Sequence, residues 1–324
     1  MHVGIVGCGL IGQKRADSLP SGYLRAVADV SKERADQLAG KFLGVDAYAD
    51  WKKLISRNDL DLIIVSTTNN WLAPITLAAV NVGKHVLVEK PAARHYSELD
   101  SVIEAAEKNK VHVMVGYNLR CHHAFIKAKE IVESGKLGHL MYIRGRYGHG
   151  GRFGYEKEWR ANREISGGGE LLDQGVHLID LSRWFLGNFT GVHGYTHTYY
   201  WKMPVEDNGF LYLENATGQV AWLQVSCTEW KNLFSYEIFC EKGKLQIDGI
   251  GGSYGTERLT LYQMLPQMGP PETTIWEYPF QDNSWKTEFE EFEQAIRTHT
   301  QPSPGLRDAQ AALRIVATIY GDKK

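Results

Sequence analysis

Residues 4 to 13, GIVGCGLIGQ, set three glycines, Gly7, Gly9 and Gly12, directly behind a short apolar run. Glycine loses more conformational freedom on folding than any other residue, so such a cluster is costly unless the backbone must turn tightly or let another group come close. In the G-x-G-x-x-G spacing each glycine has its own role, with a tight turn at Gly7, room for a diphosphate at Gly9, and close helix-to-strand packing at Gly12. The diphosphate then faces the N-terminus of the next helix, where unpaired N–H groups and the helix dipole favour negative charge. The surrounding sequence supplies what the pattern requires. Strand-like HVGIV precedes it, helix-like QKRADSL follows, and a second apolar strand, YLRAVAD, ends at Asp29, near the ~20-residue offset expected of the acidic partner. A carboxylate at Asp29 accepts hydrogen bonds from ribose hydroxyls and repels a 2′-phosphate, which favours NAD; Lys32, three residues on, keeps NADP open.

The order of elements extends this motif into a fold. Residues 1 to about 120 alternate short apolar runs (HVGIV, YLRAVAD, DLIIVST, HVLVE, HVMVG) with amphipathic helices, the signature of βαβ units around a parallel sheet. SKERADQLAGKF is expected to open on Ser31 as its N-cap, and SELDSVIEAAEKN on Ser97. After about residue 190 the pattern changes to period-two alternation rich in aromatic and β-branched residues, in GVHGYTHTYYW, GFLYLEN, GQVAWLQVSC, FSYEIFCE, KLQID and RLTLYQ, which reads as a largely antiparallel sheet. Two helical stretches, WKTEFEEFEQAIRTH and LRDAQAALRIVATIY, follow. The expected fold is α/β plus α+β. A Rossmann-type doubly wound parallel sheet spans 1–120, and a substrate-binding and oligomerisation domain on a large, mostly antiparallel open sheet spans 121–324, with the last helices free to pack back on the first domain.

A chain of 324 residues, 43% hydrophobic and 23% charged, has the composition of two ordinary globular domains. Its formal charge of −2 gives no polyanion-binding surface, so nucleic acid is not expected as a partner. Cys8, Cys121, Cys227 and Cys240 include no C-x-x-C pair, so neither a zinc site nor a disulfide framework is expected. With a first strand from His2 leaving no room for a leader, and no apolar run near ~18 residues, the expected location is the cytoplasm, off the membrane. His122, His123, His149, His193 and His197 lack acidic or cysteine partners at metal-site spacing, so no metal is expected.

Two stretches carry candidate chemistry. HVLVEKPAA ends an expected strand at Glu89, Lys90 and Pro91. The carboxyl ends of strands in an open parallel sheet face the ligand crevice, so Lys90 points at the working end of the dinucleotide. A lysine beside a cationic ring is disfavoured in its charged form, and can share a proton with a substrate hydroxyl; the competing reading is a solvated strand-end lysine. SGGGELLDQGVHLIDLSRWFLG runs a triple glycine into a helix with Asp173 and His177 four residues apart and Asp180 further along. On an α-helix that spacing puts both on one face, an acid/base arrangement for alcohol oxidation in which Asp173 orients the imidazole. The alternative is a structural Asp–His pair.

Together, Gly7-Cys8-Gly9-Leu10-Ile11-Gly12, Glu89-Lys90-Pro91, Gly116-Tyr117-Asn118-Leu119-Arg120, the Gly168–Asp180 segment and Gly305-Leu306-Arg307-Asp308-Ala309 make a pattern that resembles the glucose–fructose oxidoreductase/inositol dehydrogenase (Gfo/Idh/MocA) superfamily across nearly the whole chain. The resemblance implies NAD(P)-dependent redox at sugar or cyclitol hydroxyls, with catalytic roles for Lys90, Asp173 and His177. It implies cofactor contacts at Leu10, Ile11, Thr67, Asn69, Glu89, Lys90 and Asn118 beside Gly7, Gly9, Gly12 and Asp29. Substrate contacts are expected at Tyr117, Arg152, Trp159 and Arg160, along with the catalytic trio. It also implies a homo-oligomer, dimer or tetramer, built through the second sheet. Members often carry a proline and a histidine where this chain has Thr68 and Leu72, and an arginine where it has Leu119.

Residues 142–169 are rich in Arg and Gly, as befits long loops that shape a pocket. Arg144, Arg146, Arg152, Lys157, Arg160 and Arg163 point to an anionic sugar derivative, such as a nucleotide-linked sugar. Salt bridges with Glu156, Glu158 and Glu164 are the alternative. Three activities stay open: a sugar or cyclitol dehydrogenase, a glycoside-cleaving enzyme that oxidises its substrate transiently, and a non-enzymatic NAD-binding regulator.

Overall fold

The computed structural model describes residues 1–321. The chain runs β1 (Val3–Val6), α1 (Leu10–Ser18), β2 (Leu24–Ala28), α2 (Lys32–Ala39), β3 (Asp46–Tyr48), α3 (Trp51–Ile55), β4 (Leu62–Val65), α4 (Asn69–Asn81), β5 (His85–Glu89), α5 (Asp100–Asn109) and β6 (Val113–Gly116). It continues through α6 (His123–Glu133), β7 (Leu140–Gly148), α7 (Arg163–Ser166), α8 (Val176–Leu186), β8 (Phe189–His197), β9 (Asn208–Asn215), β10 (Val220–Ser226), β11 (Leu233–Cys240), β12 (Gly243–Asp248), β13 (Glu257–Gln263), β14 (Glu272–Tyr278), α9 (Ser284–Thr298) and α10 (Leu306–Tyr320). Two compact units result. One holds Met1–Tyr117, Glu164–Gly167 and Trp285–Leu313, the other the rest of the described residues.

The first unit is built on a six-stranded parallel sheet in the order β3-β2-β1-β4-β5-β6, the strand order of a doubly wound dinucleotide-binding sheet. Its inner strands are buried along their whole length, as VGIV and LIIV are, because helices cover both faces of a parallel sheet. Phe289 and Phe292 of α9 join Val3, Ile5, Val27, Leu62, Ile64 and Leu87 in one core. Ser31 caps α2, its side chain accepting the Arg34 N–H. Ser97 does not cap α5: a 3₁₀ turn, Tyr96–Leu99, precedes that helix, and the ring of His95 accepts the Ser97 N–H. A histidine nitrogen substitutes for the expected hydroxyl two residues earlier.

Burial of charge in this core has a measurable consequence. Glu288 on α9 has no exposed surface. Burial, opposed by Arg15 and reinforced by Glu89 and Glu291, pushes its carboxyl from the ordinary 4.5 up to about 7. The folded chain therefore holds a proton that the unfolded chain releases between those values. The stabilisation is complete in acid and is lost as pH rises through about 7. Denaturant melts should show wild-type protein losing roughly 3 kcal/mol between about pH 5 and pH 8 relative to Glu288→Gln. Parallel curves for the two proteins would refute this assignment.

The second unit carries an eight-stranded sheet, β14-β13-β12-β11-β7-β10-β9-β8, antiparallel except where β7 runs parallel to β10. Helix α6 packs on β12, β13 and β14, and α8 on β7. Phe125 meets the rings of Phe234 and Tyr236 edge-on at 5.8 and 5.4 Å. On β7, β9 and β10, Tyr142, Tyr212 and Trp222 remain exposed. Strand β7 runs into the Arg/Gly-rich stretch expected to be loop, and it is central in the sheet. Ile143, Gly145 and Tyr147 are buried while Arg144 and Arg146 are exposed. Gly145 is there for space, since a Cβ would come within 3.0 Å of the Tyr236 ring. Arg144 donates Nε to Glu237 across the sheet at 2.5 Å, a cross-strand pair that takes it out of any pocket-shaping loop. Strand β14, largely exposed, had no alternation to mark it.

Candidate functional site

The glycine loop joins β1 to α1. Gly7 adopts φ +99°, and a Cβ there would stand 2.4 Å from the Ser66 carbonyl oxygen at the end of β4. Gly12 is closer still: its Cβ would lie 1.9 Å from the Gly7 carbonyl oxygen. Gly9 differs, because nothing lies within 4 Å of its Cβ position. Packing accounts for Gly7 and Gly12, whereas open space stands before Gly9. Helix α1 has no side-chain cap and no acidic residue in its first turn, so its N-terminal amides meet no competing carboxylate. Leu10 is exposed and Ile11 half-buried on that turn.

At the end of β2, Asp29 accepts the N–H of Cys8 at 2.9 Å and of Ser31 at 2.8 Å. These bonds fix the carboxylate beside the loop. The cation next to it is Arg34, with Nε 3.5 Å from Asp29 Oδ1. Lys32, the residue expected to bear on NADP, pairs instead with Asp36 one turn along α2. A dinucleotide with a diphosphate at Gly9 and its ribose at Asp29 therefore fits the residues present.

The other cofactor-side positions divide. Thr67 is partly exposed and donates its hydroxyl to the Thr68 carbonyl. Asn69 is buried, and its Nδ2 donates to the Ser166 carbonyl at 2.8 Å. Asn118, in the second unit, donates to the Ser284 hydroxyl at 2.9 Å. Lys90 directly follows β5 and keeps partial exposure. Glu89 is buried against Arg15, whose Nε donates to it at 2.7 Å. Tyr117, expected to touch substrate, directly follows β6 and has no exposed surface.

In the second unit, the segment that leads into α8 departs from an α-helix. Leu171–Gly175 form a π-helical turn, a feature that occurs frequently at functional sites. Asp173 lies in that turn and His177 in the first turn of α8, so the helix that carries the two is not α-helical throughout. The glycines before it are packing positions. A Cβ on Gly168 would stand 2.1 Å from the Tyr320 hydroxyl and one on Gly169 1.9 Å from the Glu206 carbonyl oxygen. Glu206 accepts the N–H groups of Gly169 and Leu171 at 3.0 and 3.1 Å, capping the segment as an acidic group does at a helix start.

Around Asp173 the arginines are already engaged. Arg160 donates Nε to Asp173 at 3.2 Å and stacks over Trp159 at 4.6 Å. Arg152 meets both oxygens of Glu158, at 2.6 and 2.7 Å. Asp180 is held by a two-pronged bond from Arg120, at 2.7 and 2.6 Å, which makes it a brace for α8. His177 is buried, its ring 6.0 Å from that of Tyr147.

A neighbouring cluster went unread in the sequence. The Tyr155 hydroxyl donates to Glu170 at 2.8 Å, and His149 Nε2 lies 3.4 Å from the same oxygen. Burial works against the charged imidazole of His149, but Glu170, with Asp173 behind it, holds its pKa above the ordinary value. These residues come from the end of β7, a 3₁₀ turn and the start of the π turn, with no shared periodicity to announce them. Among the described residues, no group of three or more His, Cys, Asp or Glu is placed to hold a metal ion. None of the helices there is long and apolar enough to cross a membrane. The four cysteines are buried and unbridged.

Comparison with known proteins agrees with this geometry. Residues 1–117 match the family profile described as "Oxidoreductase family, NAD-binding Rossmann fold", and residues 125–246 match the GFO/IDH/MocA C-terminal domain. Levoglucosan dehydrogenase of Pseudarthrobacter phenanthrenivorans is 30% identical over 225 residues, 64% of this chain and 57% of that protein. Myo-inositol 2-dehydrogenase of Thermotoga maritima is 32% identical over 193 residues, 58% of this chain and 55% of that protein. The alignments thus span little more than half the length of these curated relatives. A solved structure of levoglucosan dehydrogenase in complex with NADH and levoglucosan superimposes with a TM-score of 0.89 at 22% identity, covering 99% of this chain and 96% of that one. An aldose–aldose oxidoreductase from Caulobacter crescentus complexed with glycerol gives 0.86 at 24%, over 99% and 97%. With the strand order of its first sheet and both halves matched by one family's profiles, the chain belongs to the GFO/IDH/MocA oxidoreductases, its NAD-binding Rossmann domain first.

Proposed function

We propose that this chain is an NAD-dependent dehydrogenase that oxidises a secondary hydroxyl of a neutral sugar or cyclitol. The observation that carries the reading is the loop after β1, where packing forces glycine at Gly7 and Gly12 but leaves Gly9 facing open space beside the fixed carboxylate of Asp29. When bound there, NAD supplies the acceptor for a hydride. The chain's own residues handle the proton: Lys90 donates a hydrogen bond to the substrate hydroxyl and His177 takes up its proton, while Asp173 and Arg160 hold the π turn ahead of His177 in place.

Neutral substrates follow from the arginines. Arg152 and Arg160 are bonded to Glu158 and Asp173, and Arg144 to Glu237, so three of the six cations expected to recognise an anionic sugar are already paired with carboxylates. The named activities of the relatives, on levoglucosan and on inositols, point the same way. A second copy of the chain covering the exposed aromatic face of the second sheet is the oligomer this reading expects.

The test is the near-ultraviolet absorbance of purified protein with NAD and a panel of inositols, free sugars, anhydrosugars and nucleotide-linked sugars. Steady NADH formation with neutral polyols is the expected result. Turnover confined to nucleotide-linked sugars would overturn the substrate class. Product release with no net NADH would point instead to transient oxidation.

A further inference from the structure

Arg15 heads the fully buried side chains by size and is 1% exposed. It sits on α1, one turn past Gly12. Its Nε donates to Glu89 Oε1 at 2.7 Å, Nη2 lies 2.5 Å from that same oxygen, and Nη1 donates to Glu288 Oε2 at 2.5 Å. The Trp285 ring covers the guanidinium at 4.5 Å. Gly116, the last residue of β6, makes room for it: a Cβ there would stand 2.6 Å from Nη2. One cation and two carboxylates are thus enclosed by α1, β5, β6 and α9 within the first unit.

Such a cluster is a poor way to gain stability. Desolvation of buried ions often cancels their attraction, and well-packed apolar replacements are frequently as stable or more so. Two acids against one base makes the balance worse, and Glu288 Oε1 has no hydrogen-bond partner. What the cluster does provide is position. Its ends are the helix that follows the glycine loop and Glu89, the residue directly before Lys90.

Resting on the proposed role of Lys90, we propose that Arg15 and Glu288 are positioning residues for that lysine. They clamp Glu89 and so fix the end of β5, and the amine it carries, relative to the helix that holds the dinucleotide. Misplacement of a reacting group by about 1 Å can cost about a hundredfold in rate, so a clamp of this kind acts on kcat without touching substrate.

The test uses the full chain and five proteins: wild type, Glu288→Gln, Lys90→Met, the double variant of those two, and Arg15→Lys. Glu288→Gln is nearly isosteric, and Arg15→Lys, which keeps the charge but cannot grip both carboxylates as a fork, serves as a second probe. The expected result, at about pH 8 where Glu288 has released its proton, is a kcat lower by between about tenfold and about a hundredfold in both probes. The Kd for NAD, and the Tm measured in mild acid where Glu288 holds its proton, should stay close to wild type. Glu288→Gln should change kcat less than about twofold in the Lys90→Met background. A wild-type kcat in Glu288→Gln, or an equal loss in both backgrounds, overturns the clamp. A Lys90→Met protein as active as wild type would refute the assignment of Lys90 itself, and the clamp with it.

Discussion

Replacement of Lys90 by Met, or of His177 by Asn, lowers kcat by about 10²- to 10⁴-fold, the range in which a positioned proton donor or acceptor contributes, and leaves NAD binding near wild type. The reasoning differs for the two residues. Lys90 directly follows a buried parallel strand, at the sheet end where the glycine loop also lies. In the proposed role, its removal takes away a hydrogen bond to the substrate oxygen without touching Gly7, Gly9, Gly12 or Asp29. His177 opens α8 behind a π turn and is buried against Tyr147. Asn preserves much of its volume and none of its basicity. The measurements are steady-state rates and quenching of protein fluorescence by NADH. A variant of either residue with wild-type kcat would remove it from the chemistry.

Alanine substitutions at Gly9 and Gly12, within one glycine loop, should fail in opposite ways. At Gly12 the new Cβ would stand 1.9 Å from the Gly7 carbonyl oxygen, a backbone clash that no rotamer relieves. The cost should exceed about 3 kcal/mol, the upper end of ordinary overpacking, and should appear as a lower Tm. At Gly9 a Cβ meets no protein atom within 4 Å, so the apo protein should melt as wild type does. The same methyl group fills the space assigned to the diphosphate, and the Kd for NAD should rise by about tenfold or more, about 1.4 kcal/mol. A Gly9→Ala protein that binds NAD normally would show that the loop is a packing device alone.

These expectations were legible in the sequence because the glycine motif is local. Strand, turn, helix and acidic residue fall within residues 3 to 29, and each position is constrained by backbone geometry. Strand β7 was not legible, since its buried positions include Gly145 and its exposed ones Arg144 and Arg146, a composition that mimics loop. The alternation is nevertheless there once the tight space beside Tyr236 is known. The π turn was hidden for a related reason: apolar spacing marks which side of a helix is buried, but cannot report one added residue in a turn. Arg15, Glu89 and Glu288 lie 74 and 273 positions apart along their two bonds, and only the fold brings them together. Arg152 and Arg160 were visible as charges; the pairing of Arg152 with Glu158 was one of two open readings, and that of Arg160 with Asp173, thirteen residues on, emerges only in the fold.

Tracing the hydrogen itself is the most direct test of hydride transfer to a cofactor held at the glycine loop. With a polyol deuterated at the carbinol carbon and unlabelled NAD, the deuterium is expected on the nicotinamide ring of the NADH formed, one label for each product ketone. Oxidised product accompanied by no deuterium in the cofactor at any stage of turnover would contradict it.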